Sequence, residues 1–253
     1  MKDLILTTKS VTHHYDKAPA LKQVNLQIEK GQIYGLVGNN GSGKTTLMRL
    51  IVGQTRLQQG NVTLFGASDE KALQQKRRKI GALIEAPGYF DHLSAAENLE
   101  YFRIQFGIPD KNMVHHALSL AGIAGTGKKK YKDFSLGMKQ RLGIAGALLN
   151  SPELLILDEP INGLDPSGVV EIRNTLLEIN QESGVTILIT SHILSELANV
   201  ATHYGFLRDG QLVEQISADN LYAKCLSGNG DDNIQKNLEN YYLRLVGGGA
   251  CYA

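Results

Sequence analysis

The sequence has little of several features that would assign it to a special class of protein. Its 253 residues include two cysteines, Cys225 and Cys251, which lie late in the chain and do not form the spaced set of a disulfide framework. Lys and Arg total 26 and Asp and Glu 25, so the net charge of +1 predicts no attraction to nucleic acid or to a membrane surface. These counts favour a reduced, cytosolic setting and no nucleic-acid partner.

Long apolar runs are also missing. No run approaches the roughly 20 residues that a membrane-spanning helix needs. Met1 leads directly into a strand-like segment, so we expect no signal peptide. The sequence has no heptad run and no internal repeat. Apolar residues make up 42% of the chain, enough for one core and a second lobe. If the protein works at a membrane, another chain must cross it.

The strongest positive feature is a glycine-rich stretch between two apolar runs, Ile33–Val37 and Leu47–Val52. Strand, glycine-rich loop and helix in this order are typical of a phosphate-binding loop. Its glycines leave backbone N–H groups open to phosphate oxygens, Lys44 can reach the β- and γ-phosphates, and the Thr45 hydroxyl can hold Mg²⁺. The alternative is a glycine-rich turn with a chance lysine. The predicted phosphate-binding residues are Gly38, Asn39, Asn40, Gly41, Ser42, Gly43, Lys44, Thr45 and Thr46.

Elsewhere, short apolar runs predict strands, except between Ser94 and Leu149, where only helical periodicity occurs. This pattern predicts an α/β core, 1–85 and 152–228, with a helical subdomain, 86–151, hinged at Glu85–Pro87 and near Ser151–Pro152. Together they form a nucleotide-binding domain, 1–228, followed by a helical tail, 229–253. The predicted strands are Leu4–Val11, Val24–Ile28, Ile33–Val37, Gly60–Phe65, Ile80–Ile84, Leu154–Leu157, Thr186–Thr190, His203–Leu207 and Gln211–Ile216, with a turn at Lys17–Pro19. Predicted helices include Ala95–Phe106, Met113–Ala121, Leu136–Leu149, Ile193–Val200 and Asn233–Val246.

Acidic and imidazole side chains follow two of these strands. Asp158 and Glu159 come directly after Leu154–Leu157, and His192 follows Thr186–Thr190. The carboxyl ends of parallel strands face a ligand crevice. Asp158 is therefore suited to hold Mg²⁺, and Glu159 is suited to polarise the attacking water. His192 can contact the γ-phosphate or that water. A surface acid pair and a structural histidine are the alternatives.

A second anion site is predicted in the helical segment. Ser135 caps the helix that begins at Leu136, which leaves N–H groups free near Gly137. This site lies in a different lobe from Lys44, so two chains arranged head to tail could enclose two ATP molecules. Tyr15, near the first turn, could stack on an adenine or could instead cover the sheet edge.

With these motifs in order from Leu4 to about Ile216, the chain resembles the nucleotide-binding subunit of an ABC transporter. The resemblance implies a RecA-like P-loop NTPase core with an antiparallel β edge and an inserted α-helical subdomain. It implies ATP and Mg²⁺, separate transmembrane permease subunits, a head-to-tail homodimer and the cytoplasmic face of the membrane. It makes Glu159 and His192 catalytic, and Thr45, Glu85 and Asp158 metal ligands. Beyond the phosphate loop, the nucleotide contacts that it implies are Tyr15, Glu85, Ser135, Gly137, Gln140 and Asp165.

The sequence departs from the family pattern in three places. The signature motif reads Ser135-Leu-Gly-Met-Lys-Gln140, so one glycine is lost and the spacing is stretched. Ile161 stands where threonine is frequent, and Glu85 replaces the usual glutamine. The acid at Glu85, together with Ile84–Pro87 and Tyr241–Gly247, resembles the bacitracin-resistance and lantibiotic-immunity branch, whose transporters expel antimicrobial peptides.

Other functions remain open at this point. The chain could serve an exporter of another substrate, or be an ABC ATPase that acts on ribosomes or DNA. The latter usually has two nucleotide domains or long coiled-coil inserts, which this sequence does not show. A phosphate-loop kinase would need neither the signature stretch nor a dimer. A nucleotide-gated regulator with little hydrolysis would not need Glu159.

Overall fold

The computed structural model describes residues 3–15, 18–85, 88–227 and 234–246. Within these ranges the chain alternates strands and helices, with short 3₁₀ turns at Ala124–Thr126 and Tyr131–Asp133. The strands are β1 (Leu4–Tyr15), β2 (Ala18–Glu29), β3 (Ile33–Val37), β4 (Gln59–Leu64), β5 (Ile80–Leu83), β6 (Leu154–Leu157), β7 (Thr186–Ser191), β8 (His203–Arg208) and β9 (Gln211–Ser217). The helices are α1 (Lys44–Val52), α2 (Glu70–Arg77), α3 (Ala95–Gln105), α4 (Asn112–Leu120), α5 (Leu136–Leu148), α6 (Pro166–Ser183), α7 (Leu194–Leu197), α8 (Ala218–Ser227) and α9 (Ile234–Val246).

The main sheet has six strands in the order β5-β6-β7-β3-β8-β9, parallel except for β9. Its central strands β3, β6 and β7 are buried on both faces, which accounts for their mostly apolar sequences. Leu157 pairs with Ile189 and Val37 with Ser191. The segments that follow β3, β6 and β7 therefore leave the sheet side by side, as the sequence predicted.

A three-stranded antiparallel sheet, β2-β1-β4, forms the predicted β edge. Its strands β1 and β2 are 12 residues each, longer than the sequence indicated. The turn predicted at Lys17–Pro19 was placed too late, because Ala18 and Pro19 belong to β2 and pair with Tyr15 and His14. Proline is tolerated there because β2 is an edge strand. Lys17 lies outside the described residues.

Helices α3, α4 and α5 form the helical segment, with no strand from Ser94 to Leu149, as predicted. The Ser94 hydroxyl oxygen accepts the Glu97 N–H and the Ser94 N–H donates to the Glu97 carboxylate, so the two residues form a capping box at the start of α3. The segment shares one hydrophobic cluster with the main sheet, which joins Leu99 and Leu142 to Leu155 and Ile189.

The predicted hinges have unusual backbone geometry. Glu85 and Ser151 have φ angles of 65° and 44°, in the left-handed region. Ala86 and Pro87 of the first hinge lie outside the described residues. The division into a core, 1–85 and 152–228, and a helical subdomain, 86–151, stays a prediction.

The C-terminal third differs most from expectation. The helix predicted at Ile193–Val200 is only α7, because the Ser191 hydroxyl accepts the Ile193 N–H and keeps Ile193 extended. The sequence did not predict α8, whose Leu221 and Cys225 are buried, whereas α9 confirms the last helix. Gly247–Gly249 lies outside the described residues.

The last two predicted strands are confirmed as β8 and β9, and they pair as an antiparallel hairpin. Asp209 and Gly210 connect them, with φ angles of 50° and 80° that match the two left-handed positions of a type I′ turn. The tip packs on the glycine-rich loop, since the Gly210 N–H donates to the Ser42 carbonyl over 3.0 Å.

Among the described residues, no helix combines the length and the apolar character that crossing a bilayer requires.

Candidate functional site

The glycine-rich loop joins the end of β3 to the first turn of α1. The helix begins at Lys44, three residues before the apolar run that predicted it. Gly43 has a φ of 106°, and a Cβ there would lie 2.6 Å from the Ala20 carbonyl oxygen. A Cβ on Gly38 would lie 2.3 Å from the Leu207 carbonyl oxygen. Both glycines are therefore required by close backbone packing, which fixes the loop against β2 and β8.

Lys44 is folded into the mouth of this loop. Its ammonium donates to the carbonyl oxygens of Gly38 (2.7 Å) and Asn39 (3.2 Å) and lies 3.3 Å from Glu159 Oε1. The side chain is only 5% exposed. A buried cation between a helix N-terminus and a carboxylate is suited to bind a phosphate group.

Asp158 and two threonines connect the ends of two strands to the start of one helix. The Thr45 hydroxyl donates to Asp158 Oδ2 and the Thr190 hydroxyl donates to Asp158 Oδ1, both over 2.7 Å. The Thr190 oxygen also accepts the Glu159 N–H over 2.8 Å. These bonds hold the ends of β6, β7 and α1 in one rigid arrangement.

Glu159 has a strained backbone and a well-defined carboxylate. Its φ is 47°, and such strain is characteristic of functional sites. Its Oε2 accepts from the Asn162 amide (3.1 Å) and lies 3.2 Å from His192 Nδ1. The structure therefore brings Lys44, Glu159 and His192 together, as the sequence predicted. A carboxylate in this position can accept a proton from a water that attacks a bound phosphate.

The oxygen atoms around Thr45 suit a small divalent cation. A hydroxyl and a carboxylate are the hard ligands that Mg²⁺ prefers, and both Thr45 and Asp158 supply one. In the part of the chain that the structure describes, no three acidic, histidine or cysteine side chains gather into a metal cage. A cation held here would therefore depend on phosphate and water for its other ligands.

Glu85 lies at the end of β5, beside the strand that leads to Asp158. Its carboxylate pairs with the Arg49 guanidinium, and its side chain is 67% exposed. Its assigned contact with metal and nucleotide stays a prediction, and would require Glu85 to leave Arg49.

A groove of 270 Å³ opens between this network and β1. Tyr15 lies on its wall, 45% exposed, with its ring edge-on to His13 at a centroid distance of 4.9 Å. Burial, and then the neighbouring His14, lower the pKa of His13, which favours the neutral imidazole beside the tyrosine. This place on the wall of the phosphate groove favours a Tyr15 that stacks on an adenine over one that only covers the sheet edge. The groove is lined by Tyr15, Ala20, Asn40, Gly41, Gly43, Lys44, Thr45, Thr46 and Glu159.

A second groove, of 320 Å³, lies between the N-termini of α5 and α6 and has no lining residue in common with the first. Ser135 caps α5 and Asp165 caps α6, each by accepting a backbone N–H over 3.3 Å. The Ser167 hydroxyl and then the Gly168 N–H lower the pKa of Asp165. Ser135, Gly137 and Asp165 line this groove, whereas Gln140 lies further along α5 and does not.

Sequence reasoning missed several residues that shape these sites. Thr190 and Asn162 both bind Glu159, and Arg49 pairs with Glu85. Thr190 had a readable signal, because it is a polar residue at the end of a buried strand that neighbours the Asp158 strand. Arg49 had none beyond its place on the helix after the loop.

Comparison with known proteins agrees with this geometry. A family model described as ABC transporter matches residues 21–162. Bacitracin transport ATP-binding protein BcrA of Enterococcus faecalis is 41% identical over 88% of this chain and 72% of its own length. Lantibiotic transport ATP-binding protein SrtF of Streptococcus pyogenes is 37% identical over 94% of this chain and 98% of its own length.

A solved structure shares the fold. It is the dimeric, post-hydrolysis state of the ATP-binding cassette MJ0796 bound to ADP and Pi, with a TM-score of 0.74 and 26% identity over 84% of this chain and 98% of that one. The chain therefore belongs to the ABC transporter family and is an ATP-binding and ATP-hydrolysing subunit.

Proposed function

We propose that this subunit binds Mg·ATP between two copies of the chain and powers the export of an antimicrobial peptide through separate membrane subunits. The observation that carries the proposal is the network of Lys44, Thr45, Asp158, Glu159 and His192 at the edge of the main sheet. It combines a phosphate-binding cation, oxygen ligands for a metal and a carboxylate base.

Within one copy, Tyr15 stacks on the adenine and residues 38–46 hold the phosphates. Thr45 and Asp158 hold Mg²⁺, which when bound offsets negative charge on the phosphates. Glu159 accepts a proton from the attacking water, with His192 and Asn162 fixing its carboxylate. When Lys44 turns from Glu159 to the phosphates, the Glu159 carboxylate is left free to accept a hydrogen bond from the attacking water.

The second groove completes the site from the other copy. Ser135, Gly137 and Asp165 lie on a surface separate from the phosphate groove, so one chain offers two half-sites. Free N–H groups at the start of α5 suit the γ-phosphate of the ATP that the other copy holds. The MJ0796 cassette is a dimer bound to ADP and Pi, which supports a dimer of this subunit; the head-to-tail order is our inference from the two separate grooves.

A mixing experiment tests the arrangement. Lys44→Ala removes the phosphate-binding cation. Gly137→Asp adds a negative charge in the second groove, where an added Cβ would meet only Leu164 at 3.8 Å and the helix N-terminus tolerates an acid. Each variant alone should lose ATPase activity. A mixture should regain part of it, because mixed dimers contain one intact composite site. Gly137→Ala is the matched control and should retain activity.

A mixture as inactive as its components, while Gly137→Asp still binds ATP and dimerises, would contradict the head-to-tail site. ATP binding by Lys44→Ala at the wild-type affinity would contradict the phosphate site itself.

The transported cargo is inferred from the relatives. BcrA carries the name of bacitracin transport and SrtF that of lantibiotic transport, and the chain is similar to both over most of its length. We assign the chain to the cytoplasmic face of the membrane, where permease subunits handle the peptide. Cells that express the complete transporter should tolerate one of these peptides, and cells with Glu159→Gln should not. Equal tolerance in both would contradict peptide export.

A further inference from the structure

The C-terminal helix α9 contacts the phosphate loop directly. The Tyr242 hydroxyl donates to Asn39 Oδ1 over 2.8 Å. Asn39 is the second residue of the loop, 203 positions earlier in the chain. None of the functional assignments above gives α9 a role at the nucleotide.

The contact is built on a docked helix. Arg208 donates to the Leu245 carbonyl over 2.8 Å, and Leu238 is buried. The Phe206 ring packs against the rings of Tyr241 and Tyr242, at centroid distances of 6.0 and 6.4 Å. Burial raises the pKa of Tyr242, which keeps its hydroxyl a neutral donor. The helix is thus fixed on β8, and its hydroxyl is directed at the loop.

The contact continues to the phosphate-binding lysine. The Asn39 carbonyl accepts a bond from the Lys44 ammonium over 3.2 Å, so Tyr242, Asn39 and Lys44 form one connected set. A loop whose second residue is held from both sides loses less conformational freedom when it closes on phosphates.

We propose that Tyr242 is a positioning residue for the phosphate loop, and that it couples the docking of α9 to nucleotide binding. This inference rests on the proposed phosphate site at Lys44. Because coupling is reciprocal, bound nucleotide also holds α9 more firmly on the sheet.

The neighbouring tyrosine provides a matched control. The Tyr241 hydroxyl donates to Glu214 Oε2 over 2.6 Å, away from the loop. Tyr241→Phe and Tyr242→Phe each remove one hydroxyl from the same helix and keep the ring. Only Tyr242→Phe removes the contact with Asn39.

Equilibrium titration with ATP and Mg²⁺ measures the effect. Tyr242→Phe should weaken ATP binding by about two- to tenfold, the size expected for one lost hydrogen bond, with little change in kcat at saturating ATP. Tyr241→Phe should bind as the wild type does. ATP should slow hydrogen exchange of the Ile234–Val246 amides in the wild type and in Tyr241→Phe, and should do so less in Tyr242→Phe.

Asn39→Ala removes the same bond from the loop side. It should weaken ATP binding by a similar factor, and Tyr242→Phe should add nothing in the double variant. Four results would each overturn the inference. The first two are additive losses of ATP affinity in the double variant and equal ATP affinities of the two tyrosine variants. The others are tighter ATP binding by Tyr242→Phe and identical hydrogen exchange of α9 in all three proteins. Lys44→Ala distinguishes a failure of this inference from a failure of the proposed phosphate site. An undiminished ATP affinity in that variant would overturn the phosphate site instead.

Discussion

Replacing Thr190 by valine should reveal how much the site depends on one hydroxyl. This buried side chain donates to Asp158 and accepts from the Glu159 N–H. Valine keeps the shape and removes the Thr190 hydroxyl from Asp158 Oδ1 and from the Glu159 N–H, while Thr45 still donates to Asp158 Oδ2. A bond to a charged group contributes about 1.5–3 kcal/mol and a neutral one about 1 kcal/mol, so the free energy of unfolding should fall by about 3 kcal/mol. For a chain of this size, Tm should fall by about 6–12 °C.

Thr186→Val is the matched control on the same strand. Thr186 is also buried, and its hydroxyl oxygen accepts the Gly31 N–H over 2.9 Å at the opposite end of β7. Its replacement should lower stability by about 1 kcal/mol.

Thermal unfolding of the nucleotide-free protein gives the comparison, and steady-state ATPase assays give a second one. Thr190→Val should lower kcat because the Glu159 backbone loses its anchor, whereas Thr186→Val should leave kcat unchanged. If Thr190→Val costs no more stability than Thr186→Val, the hydroxyl does not hold the two acids as described.

Three further predictions concern single positions. Glu159→Gln should bind ATP and dimerise but hydrolyse ATP at least about 100-fold more slowly in a phosphate-release assay, and normal turnover would remove Glu159 from its assigned role. Gly43→Ala should lower the free energy of unfolding by more than about 2 kcal/mol in urea titrations and abolish ATP binding, because φ at Gly43 is 106° and an added Cβ would meet the Ala20 carbonyl. The control Gly41→Ala has open space around the added Cβ and should lower the free energy of unfolding by about 1 kcal/mol. The Ser94 N–H and then Lys130 lower the pKa of Glu97 from 4.5 to about 2, so this stabilisation is complete above pH 4.5 and lost as pH falls toward 2. The stability difference between wild type and Glu97→Gln should therefore shrink over that range in acid unfolding curves, and a constant difference would contradict the assignment.

Much of the site was predictable because parallel strands bring their carboxyl ends to one edge. Lys44, Asp158, Glu159 and His192 follow β3, β6 and β7, and their order along the chain was enough to bring them together. The sequence could not indicate which hydrogen bonds would connect them. That depends on register, which places Leu157 beside Ile189 and so Thr190 beside Asp158.

The lengths of β1 and β2 were missed for a different reason. Their pairing is interrupted by register shifts, and Ser10 and Gln23 have φ angles of 50° and 51°. Such bulges break the alternation of apolar and polar residues, so the sequence pattern stops where the strand continues. Helix α8, which the sequence did not predict, packs on α9 and buries Leu221 and Cys225.

The β8–β9 hairpin has a consequence for engineering. Tight turns at the ends of hairpins usually accept inserted residues and peptide tags with little penalty. Here the Gly210 N–H donates to the Ser42 carbonyl, and the Gly210 carbonyl accepts the Lys22 N–H over 2.7 Å. The tip of the hairpin therefore holds strand β2 and the phosphate loop at a fixed separation. A tag inserted at Asp209–Gly210 would therefore disrupt the ATPase, although the sequence alone indicates only an ordinary hairpin turn.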